Sequence, residues 1–290
     1  TKELRKIVNI IRKFEKKTKK KISIIADLQG IKLRIGKIKN NLAFVKKNQK
    51  FIFDLSKKEG NSLRVNLPYP TIIKKIKKNN IVLLDDGKFA FKVIEKSINS
   101  ITTKCLSQNC KLKSNKSFHA SKISLPFNNL TAKDKKDIKI AKTIGCNWIA
   151  LSYLQNSKLI YQTRKLITKD IGIISKIENR VALNNINEII KATDAVMIAR
   201  GDLALDVGHS EVPKIQLALI KKCNKFSKSV IVATQMLESM IENYTPTRAE
   251  INDVATAIFQ GADTVMLSAE TAIGKYPIQS VKAMFKTIIS

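Results

Sequence analysis

The chain has 290 residues, long enough for one large domain plus a smaller one, and 44% are hydrophobic, enough for a sizeable packed core. Its 54 Lys and Arg against 23 Asp and Glu give a formal net charge of +31, but the lysines are scattered through every segment, usually beside Ile and Asn. That scatter, without a nucleic-acid motif carrying interleaved aromatics, argues against nucleic acid as partner and reads as compositional drift toward AT-rich codons, with polyanion binding as the alternative.

Residues Leu4, Ile7, Val8, Ile11 and Phe14 form a stripe at helical spacing, which predicts a Lys-rich amphipathic helix packing on a core rather than a targeting segment. Ile22 to Leu28 follows as a buried strand containing Asp27. Residues 35–120 then change character. Short runs at Leu42–Val45, Phe51–Asp54, Leu63–Val65, Ile81–Leu84 and Phe89–Ile94, punctuated by Asn, Gly and Pro, predict a small all-β domain inserted into an α/β chain. Within it Asp85-Asp86-Gly87 reads either as a plain turn or as a functional tip.

From Thr131 the alternation is regular. Thr131 and Asp134 open a helix that Gly145 stops, and strands are expected at Trp148–Tyr153, Ile171–Ile174, Ala195–Ala199, Val230–Thr234 and Thr264–Leu267, with helical patterns between them. Repeated βα units predict a parallel sheet with right-handed crossovers. With Ile22–Leu28 the strands number six, whereas a closed β/α barrel needs eight. The alternatives are an open doubly wound sheet and a TIM-type (β/α)8 barrel whose first two strands are absent.

No apolar run approaches the roughly 18 residues needed to span a bilayer. Cys105, Cys110, Cys146 and Cys223 include no CxxC pair, so neither zinc nor a disulfide framework is expected and a reducing, cytoplasmic location fits.

Two of these strands run straight into charge: Lys176 and Glu178 after the first, Arg200 and Asp202 after the second. Burying a charge is costly, and in a β/α barrel the C-terminal ends of the strands are where catalytic groups collect. Two acids and a lysine converging there point to a hard divalent cation beside an anionic substrate.

Six stretches in register carry a family resemblance: Ile174–Asn179, Asp194–Leu203, Ala233–Met240, Pro246–Glu250, Asp253–Ala255, and Val265–Thr271 with Gly274–Pro277. In order and spacing they resemble pyruvate kinase. The resemblance covers essentially the whole chain, most weakly between about residues 35 and 120.

It implies a barrel in three parts of the chain, 1–34 and 121–290 forming the barrel and 35–120 the inserted β lid, and transfer of phosphoryl from phosphoenolpyruvate to ADP, giving pyruvate and ATP in glycolysis. It makes Lys176 the catalytic lysine, Glu178 and Asp202 the ligands of Mg²⁺ or Mn²⁺, and Ala199, Arg200, Gly201 and Asp202 the turn receiving the substrate carboxylate. Thr234 becomes a substrate-binding catalytic residue near the path of enolate protonation, a role compatible with helix N-capping, and Arg34 falls on the nucleotide side. A homotetramer is implied for a complete chain.

The departures are as informative. Where many relatives read Asp-Thr-Lys-Gly-Pro-Glu and bind K⁺, this chain reads Asp27-Leu28-Gln29-Gly30-Ile31-Lys32, which resembles the K⁺-independent branch, with Lys32 supplying the missing positive charge. The return from the insert, Lys116–Ala120, lacks the family's Lys-Gly-Val-Asn-Leu-Pro-like run, the Arg-x-Asn-x-Ser-His stretch has no match, and the family's C-terminal domain is missing after Ser290. Low or no activity is expected of the isolated chain, because an incomplete barrel leaves sheet edges and core exposed. Two other functions stay open: a barrel aldolase of the phosphoenolpyruvate/pyruvate class, and a non-catalytic basic remnant that binds polyanions.

Overall fold

The computed structural model describes residues 2–120, 123 and 128–290. The chain divides into two compact units, one of Thr1–Ile31, Asn128–Leu203 and Ser210–Ser290, the other of Lys32–Phe127 with Ala204–His209.

In chain order the first unit opens with α1 (Lys2–Thr18) and β1 (Ile25–Asp27). The second unit supplies β2 (Ala43–Val45), β3 (Lys50–Asp54), β4 (Arg64–Asn66), α2 (Pro70–Lys75), β5 (Ile81–Leu84), β6 (Phe89–Lys96), β7 (Ser100–Cys105), β8 (Cys110–Leu112) and β9 (Phe118–Ala120). The alternation then runs α3 (Ala132–Ile144), β10 (Trp148–Leu151), α4 (Lys158–Arg164), β11 (Gly172–Ile177), α5 (Arg180–Asn184), α6 (Ile186–Ala192), β12 (Ala195–Ala199) and α7 (Arg200–Val207). It ends with α8 (Val212–Lys225), β13 (Ser229–Ala233), α9 (Arg248–Phe259), β14 (Thr264–Met266), α10 (Ala269–Ala272) and α11 (Pro277–Ile289).

The βα units build one six-stranded sheet in the order β1-β10-β11-β12-β13-β14, every pair parallel. Each strand pairs with the next one of the unit in sequence, without the reversal of order that marks a doubly wound sheet. That order decides for the barrel: the sheet is an open portion of a β/α barrel, six strands where closure needs eight, with β1 and β14 as its edges. Its centre is dry. Ala150, Ile174, Ala195, Met197 and Ala233 form one apolar cluster, all almost wholly buried.

Local signals explain the helix ends. Thr131 and Asp134 form a reciprocal capping box at the start of α3, and Gly145 closes it at φ 80° in the left-handed region. Thr247 and Glu250 do the same for α9, which gives the Pro246–Glu250 motif a structural role.

Three expectations need correction. The stripe on α1 is not core-facing: only Val8 is buried, while Leu4, Ile7 and Phe14 are about half exposed. The helix lies beside an edge of the sheet, and its anchor is polar: the Arg12 guanidinium donates to the carbonyls of Ile22 and Gly145 and to Asn147 Oδ1. The helical pattern over Val181–Ile190 is two short helices broken at Asn185. Finally, β11 runs on to Ile177 rather than ending at Ile174, so Lys176 projects from the strand itself.

In the second unit a six-stranded sheet, β4-β3-β7-β6-β5-β9, accompanies the antiparallel pair β2-β8. Phe51, Phe53, Phe91 and Phe118 meet as edge-on or tilted rings with centroids 5.2–5.7 Å apart, and the first three are fully buried. Strands β7, β8 and β9 were not among the strands expected. Asp85-Asp86-Gly87 is a turn with all three residues at positive φ, 51°, 53° and 89°.

Candidate active site at the strand ends

The charged residues gather at the C-terminal ends of the barrel strands. Asp27 is the last residue of β1, Ser152 follows β10, Lys176 stands near the end of β11 and Glu178 just beyond it. Asp202 lies in the first turn of α7, directly after β12, and Thr234 directly after β13.

Parallel register brings these ends together. Lys176 Nζ lies 3.0 and 3.1 Å from the two carboxylate oxygens of Asp27, 2.9 Å from Ser152 Oγ and 3.2 Å from Glu178 Oε1. Ser152 Oγ in turn donates to Asp27 Oδ1 at 3.2 Å. Gly30 lets the chain turn tightly past this point. It sits at φ +59°, and a Cβ there would stand 2.6 Å from the carbonyl oxygen of Ser152.

Burial acts to lower the Lys176 ammonium, but the charges of Glu178 and Asp27 outweigh it and hold the group above the ordinary lysine value. Glu178 is enclosed. Burial pushes its carboxyl up to about 7, Lys176 opposes that rise, and the nearby negative charge of Asp202 adds to it. Its Oε2 accepts the Tyr153 backbone N–H at 2.5 Å, and the Tyr153 phenol donates to Asp202 Oδ1 at 2.9 Å.

This donor set fits a hard divalent cation of the Mg²⁺ type. Such ions take one or two protein carboxylates and complete their shell with water and substrate oxygens. A buried Glu178 whose charge opposes that of the half-buried Asp202 is what a cation relieves. Among the described residues no group of three or more His, Cys, Asp or Glu forms a self-sufficient metal cage.

The turn after β12 is tied to the turn after β13. Thr234 and Gln235 lie at φ 71° and 54°, a region costly for a β-branched residue. The buried Arg200 guanidinium donates to the Thr234 carbonyl at 2.7 Å and the Gln235 carbonyl at 3.0 Å, and pairs with Asp253 at 2.8 Å. Its side chain is thus occupied in holding that turn, which leaves the main chain of Ala199-Arg200-Gly201 as the part able to face an anion. Thr234 Oγ1 accepts the Gly201 N–H at 2.9 Å, so the threonine hydroxyl caps the start of α7.

Leu28 is buried, with its N–H on the Ala150 carbonyl, and its side chain offers no ligand to a monovalent cation. In the second unit, Lys32 Nζ pairs with Asp86 Oδ1 at 2.8 Å, and Arg34 donates to the Asn115 carbonyl at 2.9 Å. Sequence reasoning missed Ser152 and Tyr153, although both sit at a strand exit, the position that marked Lys176 and Glu178. It also gave no role to Asp253, which lies within a quoted motif, or to Gln216, within 3.4 Å of Arg200.

A family profile described as pyruvate kinase, barrel domain, matches residues 1–281. The chain belongs to the pyruvate kinase family. The pyruvate kinase of Buchnera aphidicola subsp. Baizongia pistaciae is 44% identical over 273 residues, covering 91% of this chain and 57% of that protein. The pyruvate kinase of Methylorubrum extorquens is 36% identical over 277 residues, covering 96% of this chain and 58% of the relative. A crystal structure of a pyruvate kinase from Cryptosporidium parvum superposes with a TM-score of 0.89 at 32% identity, over 96% of this chain and 59% of that one. The chain thus spans 57–59% of the length of these pyruvate kinases. Membership of the family sets the aldolase alternative aside.

Proposed function

We propose that this chain carries the phosphoenolpyruvate side of a pyruvate kinase site, transferring phosphoryl from phosphoenolpyruvate to ADP to give pyruvate and ATP. The observation that carries the reading is the Lys176 ammonium, held among Asp27, Ser152 and Glu178 at the strand ends. A fixed positive charge at that place stabilises the phosphoryl group in transit and the enolate left behind, where negative charge develops.

Glu178 and Asp202 are the residues that would hold Mg²⁺ or Mn²⁺. When bound, such a cation would supply positive charge that offsets the charge of the substrate's phosphoryl and carboxylate groups. The main chain from Ala199 to Asp202 would take the substrate carboxylate at the start of α7, where N–H groups point outward and the helix dipole favours an anion. The Gly201 N–H is engaged by Thr234 Oγ1. Accepting a carboxylate there exchanges that bond and releases the threonine hydroxyl, which can then take part in delivering a proton to the enolate carbon.

The finer assignments belong to the same proposal. Lys32 stands in for the K⁺ of many relatives, Arg34 belongs to the nucleotide side, and the setting is the cytoplasm, which the four buried free cysteines suit. No helix among the described residues is long and apolar enough to cross a membrane.

The test is a chimera in which this chain replaces the matching part of the Buchnera relative, assayed for pyruvate with phosphoenolpyruvate, ADP and Mg²⁺ by coupling to lactate dehydrogenase. Lys176→Ala should lower kcat by roughly a thousandfold or more, the scale of losing a preorganised charge. Failure of the chimera to form pyruvate in a Lys176-dependent manner would sink the catalytic reading and leave the polyanion-binding one.

A further inference from the structure

Tyr153 has no part in the reaction as set out above, yet it reaches both acids of the site. It is the second residue after β10 and sits at φ 55°, a left-handed conformation that a bulky side chain rarely adopts. From that one position its backbone N–H donates to Glu178 Oε2 and its phenol to Asp202 Oδ1. The two acids stand at successive strand ends, after β11 and after β12.

Two carboxylates that must share a cation repel each other before it arrives, and each would turn toward solvent or another donor. A hydrogen bond to one oxygen of each fixes the rotamers, and bonds from ionised acceptors are the stronger kind. Main-chain and side-chain donors of one residue are linked through only two side-chain torsions, so the spacing of the two acids is constrained by the reach of one amino acid. The left-handed backbone is what aims both donors.

We propose that Tyr153 is a positioning residue for the divalent cation, its backbone fixing Glu178 and its phenol fixing Asp202 so that the pair is arranged before the cation binds. The inference rests on the reading of Glu178 and Asp202 as the cation-holding pair. It commits to a sign: the phenol helps the cation rather than competing with it for Asp202.

The test is Mn²⁺ binding to the 290-residue chain, followed as loss of the free-ion electron paramagnetic resonance signal, in the wild type, Tyr153→Phe, Asp202→Asn and the double variant. Tyr153→Phe keeps the ring and the backbone bond and should weaken Mn²⁺ binding about tenfold, the lower end of what losing a ligand-orienting group costs. In the Asp202→Asn background the same change should have no further effect, because the acid it orients is gone.

Unchanged or tighter binding by Tyr153→Phe overturns the proposal, as does an equal loss in both backgrounds. If the wild type takes up no Mn²⁺, both this inference and the cation reading fall. A wild type that binds while Tyr153→Phe binds equally well sinks this inference alone. A measurement needing no Tyr153 variant is the ultraviolet difference spectrum on Mn²⁺ addition. A tyrosine band is expected in the wild type and not in Asp202→Asn, and its absence from the wild type counts against the phenol contact.

Discussion

The guanidinium of Arg200 donates to the carbonyl oxygen of Thr234 at 2.7 Å, and Thr234 is a β-branched residue held at φ 71°. The contact explains how a costly backbone persists: a buried, charged fork, itself paired with Asp253, grips two successive carbonyls of the strained turn. Lysine at this position keeps the charge and loses the fork. Arg200→Lys is expected to lower stability by roughly 2 kcal/mol, from charge-assisted bonds to the two carbonyls left unmade. Urea unfolding read by circular dichroism checks it, and an unchanged midpoint would remove Arg200 from this role.

Thr247 offers a contrast. It stands in a stretch that marks the family, but its hydroxyl accepts the Glu250 N–H in the capping box of α9, remote in role from any chemistry. Thr247→Ala should cost about 1 kcal/mol, the usual cost of losing an N-cap. In the chimera the KM for phosphoenolpyruvate should not move; a clear rise in KM would show that the residue does more than cap.

Lys32 bears on the monovalent cation. If its ammonium replaces K⁺, turnover of the chimera in sodium-free buffer should be insensitive to added KCl, and Lys32→Glu should make it K⁺-activated. A several-fold rise with KCl in the unaltered chimera would contradict this.

The same lysine gives a pH prediction. Burial pushes the Asp86 carboxyl up, but the hydrogen bonds from Lys32 and Ser117 and the Lys32 charge outweigh it, and the group titrates below the ordinary aspartate value of 3.8. A carboxyl lowered on folding adds stability above its unfolded value and loses it as pH falls through the folded one. The wild type should therefore be more stable than Lys32→Met at pH 7, and the gap should close below 3.8. Thermal melts at neutral and acid pH read the difference; a gap that is constant across that range would assign the effect to packing.

Much of this was legible in the residues themselves. Ala195–Ala199 is the strand β12 residue for residue, because a fully buried parallel strand reads as an unbroken apolar run. Thr131, Asp134 and Gly145 bound α3 because caps are local chemistry. The misses come where burial is decided at a distance. The strand was expected to stop at Ile174, before Lys176, because a charge is costly to bury, yet three polar partners at the ends of β1, β10 and β11 let β11 continue through it. In β7, Ser100–Cys105 is polar in composition and only its alternation of buried and exposed positions marks it as a strand. Tyr153 was hidden inside an expected strand: its usefulness depends on a positive φ, which tyrosine rarely takes and composition does not announce.

The open sheet has a consequence for the tempo of the site. Its edge strands β1 and β14 have three residues each, with Ile25 and Thr264 exposed, while β12 is buried along its whole length. Amide protons should therefore exchange with solvent fastest at the rims and slowest along β11 and β12, since opening free energy follows packing. Lys176 and Glu178 belong to the slow centre, whereas Asp27 is carried by a rim strand. Local fraying of β1 would strip the ammonium of its Asp27 counter-charge while leaving in place Glu178, the larger of the two charges that hold it.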